Sequence, residues 1–307
     1  MFRYATVLVT YNRLDKLKKE LRSLFVQDTK PQKIIIIDNK STDGTREYMD
    51  SLLQNDEKKL IIYKRLSENL GGSRGFYEGI KIASQLENID WIALGDDDIE
   101  YDANFFKKIA SKSEANRDVL CFTGQVLYPD KEIQLDHRRR LVNSVILKQR
   151  VVAIEAYDHD FYLDVFSFVG VVINKKVVEQ VKLPEKDYFI WCDDTEYSLR
   201  VREQTKILNV SDALVVHSTI KPDNSRFKPT WKMYYGKRNT ILMVMKHSKN
   251  PFLYQLLLPM FFLKDIGMLF LKFKYYRPFI KEMFIIYFSA YKDGITKIDG
   301  KNNRFTP

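Results

Sequence analysis

Apolar positions in the first hundred residues switch between two rhythms. Tyr4 to Thr10 is a short β-branched run, Leu14, Leu17, Leu21, Leu24 and Phe25 recur at helical spacing, and Ile34 to Ile37 is apolar again. That pattern predicts strand, helix, strand. Asp38-Asn39-Lys40-Ser41-Thr42-Asp43-Gly44 supplies a polar turn and a cap before a helix over Thr45 to Leu53, and Leu60 to Leu66 reads as a third strand. The glycine-rich turn Gly71-Gly72-Ser73-Arg74-Gly75 opens a helical stretch to about Gln85, and Trp91 to Leu94 predicts a buried strand ending at Gly95-Asp96-Asp97-Asp98. This alternation predicts an α/β fold with a Rossmann-like, mostly parallel sheet flanked by helices and ligand sites at the carboxyl ends of its strands.

After about residue 119 the rhythm becomes longer and less regular, with β-rich segments over Val119 to Tyr128, Val145 to Ile154 and Phe161 to Ile173, and a polar stretch that ends near His217. From Trp231 onward the chain reads as helices. Their most apolar part lies between Pro251 and Tyr291, where the longest uncharged run, Asn250 to Leu263, has 14 residues. A spanning helix needs about 20, so these helices are expected not to cross a bilayer.

Charge divides the chain at the same place. Residues 221–307 carry 17 Lys+Arg against 5 Asp+Glu, and the first 220 residues carry 33 against 35. The overall charge of +10 therefore does not surround the α/β part, and nucleic acid is not an expected partner. The expected organisation is a nucleotide-binding catalytic domain over 1–220 and a basic, aromatic helical region over 221–307. At 45% hydrophobic, 307 residues can bury a full-sized core. Cys121 and Cys192 form no CxxC pair, which argues against a disulfide framework and a cysteine-rich zinc site. The opening MFRYATVLVTYNR has no secretion-signal pattern, so the catalytic part is expected in the cytoplasm.

The sharpest chemical signal is Asp96-Asp97-Asp98 after an apolar strand. Three adjacent carboxylates repel one another, and a divalent cation with oxygen ligands is their natural counter-charge, although an isolated DDD is as readily a solvated acidic turn. A second acidic cluster, Asp193-Asp194-Thr195-Glu196, follows the aromatic stretch Tyr188 to Cys192. Its apolar lead-in can desolvate a carboxylate and make it a general base, and acids also favour the first turn of a helix. His217 ends the run Ala213-Leu214-Val215-Val216. Beside carboxylates its imidazole completes a mixed N/O shell for an Mn-like ion. Asn69 to Gly75 offers backbone N–H groups and the Arg74 guanidinium to a diphosphate. Tyr11, Asn12 and Arg13 after the first strand and Asp38 after the second complete a rim on which a base can stack and hydrogen-bond. The YYGKRN stretch, Tyr234 to Asn239, fits an acceptor or phosphate contact and equally an amphipathic helix start.

In order along about the first 220 residues, VTYNR, IDNKSTDGT, NLGGSRG, GDDD and WCDDTEYSLR followed by a strand-end histidine resemble the family 2 inverting glycosyltransferases of the GT-A fold. More narrowly they resemble the branch with bacterial galactofuranosyltransferases and some rhamnosyltransferases. The resemblance implies that Thr10, Tyr11, Arg13 and Asp38 hold the nucleoside, and that Asn69, Gly72 and Arg74 hold the ribose and diphosphate. Asp96 and Asp98 would be the acids of the DxD motif, with Asp97 between them on the donor side, and His217 would join them on Mn²⁺ or Mg²⁺. Asp194 matches the catalytic base, Asp193 its acidic neighbour, and Trp191 would line the acceptor side. Cys192 stands where this branch more often has a charged or small polar residue.

The implied reaction is inverting transfer of a hexosyl group from a UDP-sugar, galactofuranose first and rhamnose from its dTDP donor second, to a glycan or lipid-linked acceptor in cell-surface polysaccharide synthesis. Lys264, Lys272, Lys274, Arg277 and Lys281 interleave with Phe, Leu, Ile and Tyr in the tail, a composition suited to an anionic membrane surface. The expected location is thus peripheral, at the inner face of the cell membrane. The same aromatic surface also suits a homo-oligomer contact. Rival readings are a sugar nucleotidyltransferase and a non-catalytic, membrane-bound nucleotide-sugar sensor.

Overall fold

The computed structural model describes residues 2–56, 59–221 and 227–307; residues 222–226 of the expected helical region lie outside the described residues. The chain runs β1 (Tyr4–Thr10), α1 (Leu14–Phe25), β2 (Lys33–Asp38), α2 (Thr45–Gln54), β3 (Ile61–Arg65), α3 (Gly71–Ser84), β4 (Trp91–Asp96), β5 (Ile99–Tyr101), α4 (Phe105–Ala115) and β6 (Cys121–Leu127). It continues with β7 (Arg138–Asn143), β8 (Lys148–Val151), β9 (Phe161–Leu163), β10 (Val165–Phe166), β11 (Val171–Asn174), α5 (Lys175–Val181), α6 (Asp193–Gln204) and β12 (Ile207–His217). The helices α7 (Lys232–His247), α8 (Pro251–Leu271), α9 (Phe273–Tyr276) and α10 (Ile280–Ile295) follow.

The main sheet has the order β3-β2-β1-β4-β11-β6-β12-β5, with β9 also on β12. Strands β1 to β4 pair in parallel, whereas β11, β5 and β9 enter antiparallel. Alternation explains the apolar runs. Ala5, Val7, Val9, Ile35, Ile37, Ile92 and Leu94 face one core with Phe76, Ile80, Val177 and Tyr197 of α3, α5 and α6. Tyr4, Leu8, Ile34, Ile36, Trp91 and Ala93 face the other with Leu17, Leu21, Met49 and Phe105 of α1, α2 and α4. Strands covered on both faces need no polar alternation, so they read as continuous apolar segments. Because β2 and β4 flank β1 on opposite sides, successive connections diverge there and leave a crevice at the ends of β1 and β4.

The run expected as one β segment over Val145–Ile154 is instead half of a hairpin. Only β8 lies in it, paired antiparallel with β7, and Asn143 Oδ1 closes the turn by accepting from Val145 N and Ile146 N at 2.9 and 3.0 Å. β7 begins with three arginines, whose charge hides the strand from a hydropathy reading.

α8 extends to 21 residues, past the 14-residue uncharged run, and has the length and composition of a membrane span. Asp265 does not interrupt it, because the carboxylate pairs with Lys237 Nζ at 2.7 Å and accepts from Tyr291 Oη at 2.8 Å. One face of α8 is packed: Tyr254 and Leu258 are buried with Ile241 and Val244 of α7 and Tyr291 of α10.

The helices are fastened to the sheet domain through Glu196, whose buried carboxylate meets Arg200 at 2.6 Å, His247 at 2.7 Å and Lys246 at 3.1 Å. Burial alone would raise its pKa, but His247, Arg200 and Lys246 outweigh that and hold it at about 2. An unfolded glutamate titrates near about 4.3, so the cluster contributes about 3 kcal/mol above that pH, lost as pH falls toward 2. Glu196→Gln is expected to lower unfolding free energy by about that amount at pH 7. Urea titrations should show the gap from wild type closing as pH falls through this window; a gap independent of pH would rule the account out.

Candidate active site

Twelve of the residues singled out in the sequence line one cleft of about 670 Å³: Thr10, Tyr11, Arg13, Asn69, Gly72, Asp96, Asp97, Asp98, Trp191, Asp193, Asp194 and His217. Topology brings them together. Thr10 to Arg13 leave β1, the acidic triplet leaves β4 beside it, and antiparallel pairing of β12 with β5 sets His217 opposite Ile99, one residue beyond Asp98. The ligand atoms of Asp96, Asp98 and His217 all lie within 4.8 Å of one another.

This group has the donor chemistry of a divalent-cation site. Asp98 Oδ1 is buried and faces His217 Nε2 at 3.1 Å. The tautomer follows from Gln134, whose amide nitrogen donates to the carbonyls of Leu127 and His217 at 3.1 and 2.9 Å and so fixes which end is oxygen. Its Oε1 lies 3.0 Å from His217 Nδ1. An amide oxygen only accepts, so Nδ1 carries a proton and donates to it, which leaves Nε2 as the ring nitrogen turned to the carboxylate and the one placed to ligate a cation. Separations up to 4.8 Å are compatible with bonds of about 2.0–2.4 Å to one ion. Burial, and then the charge of Asp98, raise the pKa of Asp96, as expected for crowded acids without their counter-ion.

Asp97, the middle acid, is engaged within the protein. It accepts from Thr10 Oγ1 at 2.7 Å and Arg13 Nη1 at 3.1 Å, tying the β1 turn to the β4 turn. Arg13 and Lys16 also reach Asp98 Oδ2, each at 3.1 Å.

Asp38 and Arg74 stand outside the lining. Asp38 is fully buried and accepts from Ser41 N and Tyr63 Oη, both at 2.7 Å. Arg74 turns to Asp187 at 3.1 Å. Both brace the loops behind the cleft. Gly71 has φ +83°, and a Cβ there would come within 2.0 Å of Phe189 O, so the glycine stretch is pressed against the segment that leads to the second acid pair.

That pair opens α6. Burial, followed by the charge of Asp194, pushes the carboxyl of Asp193 well above the usual range. Burial also raises Asp194, opposed by Arg139 and by hydrogen bonds from Thr195, whose N–H and Oγ1 lie 2.5 and 3.1 Å from Asp194 Oδ1. Asp194 is therefore the member of the pair better able to stay ionised, and Asp193 the better proton holder.

The structure adds lining residues that sequence reading passed over, among them Asn39, His137, Ser167, Trp231 and Lys232. His137 Nε2 bonds Gln134 Oε1 at 2.9 Å, and its Nδ1 meets Ser167 Oγ at 2.5 Å, so it buttresses the His217 support. The rarity of histidine was the one signal that pointed there. Lys232 is brought in by α7, and no local motif marks it.

Residues 6–177 match the family described as Glycosyl transferase family 2. The chain is 31% identical over 176 residues to the abequosyltransferase RfbV of Salmonella typhimurium, covering 54% of this chain and 51% of that protein. It is 36% identical over 92 residues to the galactofuranosyltransferase GlfT1 of Mycolicibacterium smegmatis, covering 30% and 28%. It thus spans about half of the first relative and less of the second. Among solved structures, S. aureus TarS 1–349 superposes with a TM-score of 0.55 at 14% identity over 81% of this chain and 67% of that one. GalNAc-T7 with UDP, GalNAc and Mn²⁺ superposes with a TM-score of 0.62 at 14% identity over 97% and 56%. These two show a shared fold. With the family match spanning more than half of its length, the chain belongs to glycosyl transferase family 2.

Proposed function

We propose that the protein is an inverting glycosyltransferase that moves a sugar from a nucleotide-sugar to an acceptor hydroxyl, with Mn²⁺ or Mg²⁺ held by Asp96, Asp98 and His217. The observation that carries this reading is that the Asp96-Asp98-His217 group and the Asp193-Asp194 pair line the same cleft. A cation so held supplies Lewis-acid neutralisation of the charge that builds on the leaving nucleotide. Thr10, Tyr11 and Arg13 hold the nucleoside, with Asp38 bracing their neighbour Ser41. Asn69 and Gly72 lie against the ribose and diphosphate, with Arg74 anchoring that turn from behind. Asp194 takes the proton from the acceptor hydroxyl as its oxygen attacks the anomeric carbon from the face opposite the leaving group. A single displacement of this kind inverts the anomeric centre. Trp191, half exposed at the cleft, offers the acceptor sugar an aromatic face.

The likeness to a galactofuranosyltransferase supports UDP-galactofuranose as donor, ahead of dTDP-rhamnose. The test is donor hydrolysis by the purified protein across a panel of nucleotide-sugars with Mn²⁺, repeated with EDTA. Metal-dependent release of UDP from one donor is the expected result. Pyrophosphate release from a nucleoside triphosphate, or nucleotide-sugar binding without turnover of any donor, would overturn it.

The acceptor is a lipid-linked glycan reached at the cytoplasmic face of a membrane. The support is α8, whose unpacked face shows Phe252, Leu256, Met260, Leu263 and Phe270 in one stripe, between 53% and 68% exposed. At about 1.5 Å per residue that stripe is about 28 Å long. Lys264, Lys272, Lys274, Arg277 and Lys281 flank it, which complements an anionic surface. The protein is expected to co-sediment with phosphatidylglycerol vesicles and weakly with phosphatidylcholine ones. The pair Leu256→Asp and Leu263→Asp should lower that partition at least about tenfold. Unchanged binding by the pair, or a wild-type dimer that it dissociates, would point to a protein contact.

A further inference from the structure

The YYGKRN stretch, left open by its sequence, lies in α7 and is aimed at the turn that launches the acid pair. In that turn Phe189, Trp191 and Cys192 have φ of 67°, 64° and 70°. Left-handed backbone at a residue with a Cβ costs about 1 kcal/mol or more, so three within four residues need external restraint. Cys192 is the N-cap of α6 but makes no side-chain capping hydrogen bond. The direction of the first turn of α6, which carries Asp193 and Asp194, is thus set by whatever fixes the residues before it.

Asn239 supplies the restraint. It is fully buried, and its Nδ2 lies 2.9 Å from each of the carbonyls of Tyr188, Ile190 and Trp191, so its two N–H groups serve all three with one of them shared. Its Oδ1 accepts from Arg238 Nε at 2.9 Å, which fixes the amide orientation. Arg238 is also fully buried, and it has no carboxylate within 4 Å among the described residues. It donates to Tyr188 O at 3.1 Å and Gly300 O at 2.7 Å instead. Tyr235 stacks on Phe189 with ring centroids 4.9 Å apart. At Gly236 a Cβ would lie 2.8 Å from the Trp191 ring, so a glycine admits the indole. Burying a guanidinium and an amide costs free energy unless their donors find acceptors, and a network satisfied in this way is rigid; here the acceptors are mainly carbonyls of the turn.

We propose that Asn239, seconded by Arg238, is a positioning residue for the transfer reaction. Through the left-handed Phe189–Cys192 turn it holds Asp194 and Trp191 on the acceptor side of the cleft. This rests on the reading of Asp194 as general base. It also makes α7 part of the catalytic apparatus, while α8 and α10 form the outer surface of the helical region.

The test compares wild type, Asn239→Ala and Arg238→Lys for donor hydrolysis, for binding of UDP with Mn²⁺, and for acrylamide quenching of Trp191 in a Trp91→Phe/Trp231→Phe background. Asn239→Ala is expected to lower kcat about 100-fold, because a base displaced by about 1 Å loses that much. Donor KM and the affinity for UDP with Mn²⁺ should stay within about threefold of wild type, and quenching of Trp191 should rise. Arg238→Lys should show the same pattern at about a tenfold loss, and it decides the matter if Asn239→Ala does not fold. A folded variant with kcat within about threefold of wild type, or one that loses kcat and nucleotide affinity in parallel, would overturn the proposal. If wild type hydrolyses no donor, the reading of the activity fails on its own. The quenching arm still decides the clamp, since unchanged quenching in both variants excludes it.

Discussion

Asp194→Asn is expected to lower the rate of sugar transfer by about 10³–10⁴-fold while leaving the affinity for UDP with Mn²⁺ within about twofold, because a positioned general base contributes on this scale and acts only in the transition state. The isosteric amide keeps the contact with Thr195 Oγ1 and removes only the basic oxygen. Burial raises the pKa of this carboxyl, and a base works deprotonated. The wild-type rate is therefore expected to rise with pH through a value above about 3.9, the usual aspartate value, and that limb should vanish from the residual activity of the variant. Asp193→Asn makes the useful contrast. Burial and the charge of Asp194 keep Asp193 protonated far above the usual range, so its replacement removes no base, and a loss of about tenfold or less is expected. A larger loss in Asp193→Asn than in Asp194→Asn would reverse the assignment. Steady-state rates between pH 5 and 9 with a donor identified by hydrolysis, paired with calorimetric titration of UDP, separate these outcomes.

The second large effect is expected at the other acid group. Asp98→Ala removes one of three candidate ligands and leaves Asp96 and His217, and a cation that supplies about 4 kcal/mol to the transition state then disappears with about 10³-fold of rate. In contrast to Asp194→Asn, this variant should also lose Mn²⁺-dependent binding of UDP, because a cation held by Asp96, Asp98 and His217 would supply positive charge to the nucleotide in the ground state as well. Manganese paramagnetic resonance gives a readout independent of turnover: Mn²⁺ bound in the presence of UDP should be lost in Asp98→Ala and kept in Asp194→Asn. Equal Mn²⁺ occupancy in the two variants would remove Asp98 from the ligand set. Arg13 and Lys16 both lose a carboxylate partner in Asp98→Ala, so Asp98→Asn, which keeps the side-chain volume, is the control for local collapse.

The two expectations differ because the two acid groups come from different parts of the fold. Asp96 and Asp98 stand at the end of a central parallel strand, and His217 is registered beside them by sheet pairing. Asp193 and Asp194 stand at the start of a helix whose approach is shaped by a strained turn and a clamp from α7. A sheet end is stiff, whereas a turn of left-handed residues holds its shape only while its partners do. On the proposed reading, the acceptor side would depend on the helical region through the Asn239 clamp, and the donor side meets the same region through Trp231 and Lys232 in the cleft lining.

Much of the α/β part was determined by sequence alone. Its strands are buried on both faces and its first helices are amphipathic, so local hydropathy carries the element type, and the acidic triplet at a strand end marks a candidate cation site. The same reasoning singled out the Asp193–Glu196 cluster and His217, because apolar lead-ins to titratable residues survive in one dimension, whereas the choice of Asp194 within the cluster rested on the family resemblance. What only the tertiary structure decided are matters of pairing and close approach. The β7–β8 hairpin opens with arginines whose charge masks it, and its pairing is a long-range choice. That Asp38 and Arg74 stand behind the cleft depends on Tyr63 and Asp187, partners 25 and 113 residues away. The Gln134–His137 support of His217 and the Asn239 clamp on Trp191 join positions 83 and 48 residues apart. No local pattern encodes such bonds, because a buried amide is useful only once folding has delivered the carbonyls it serves.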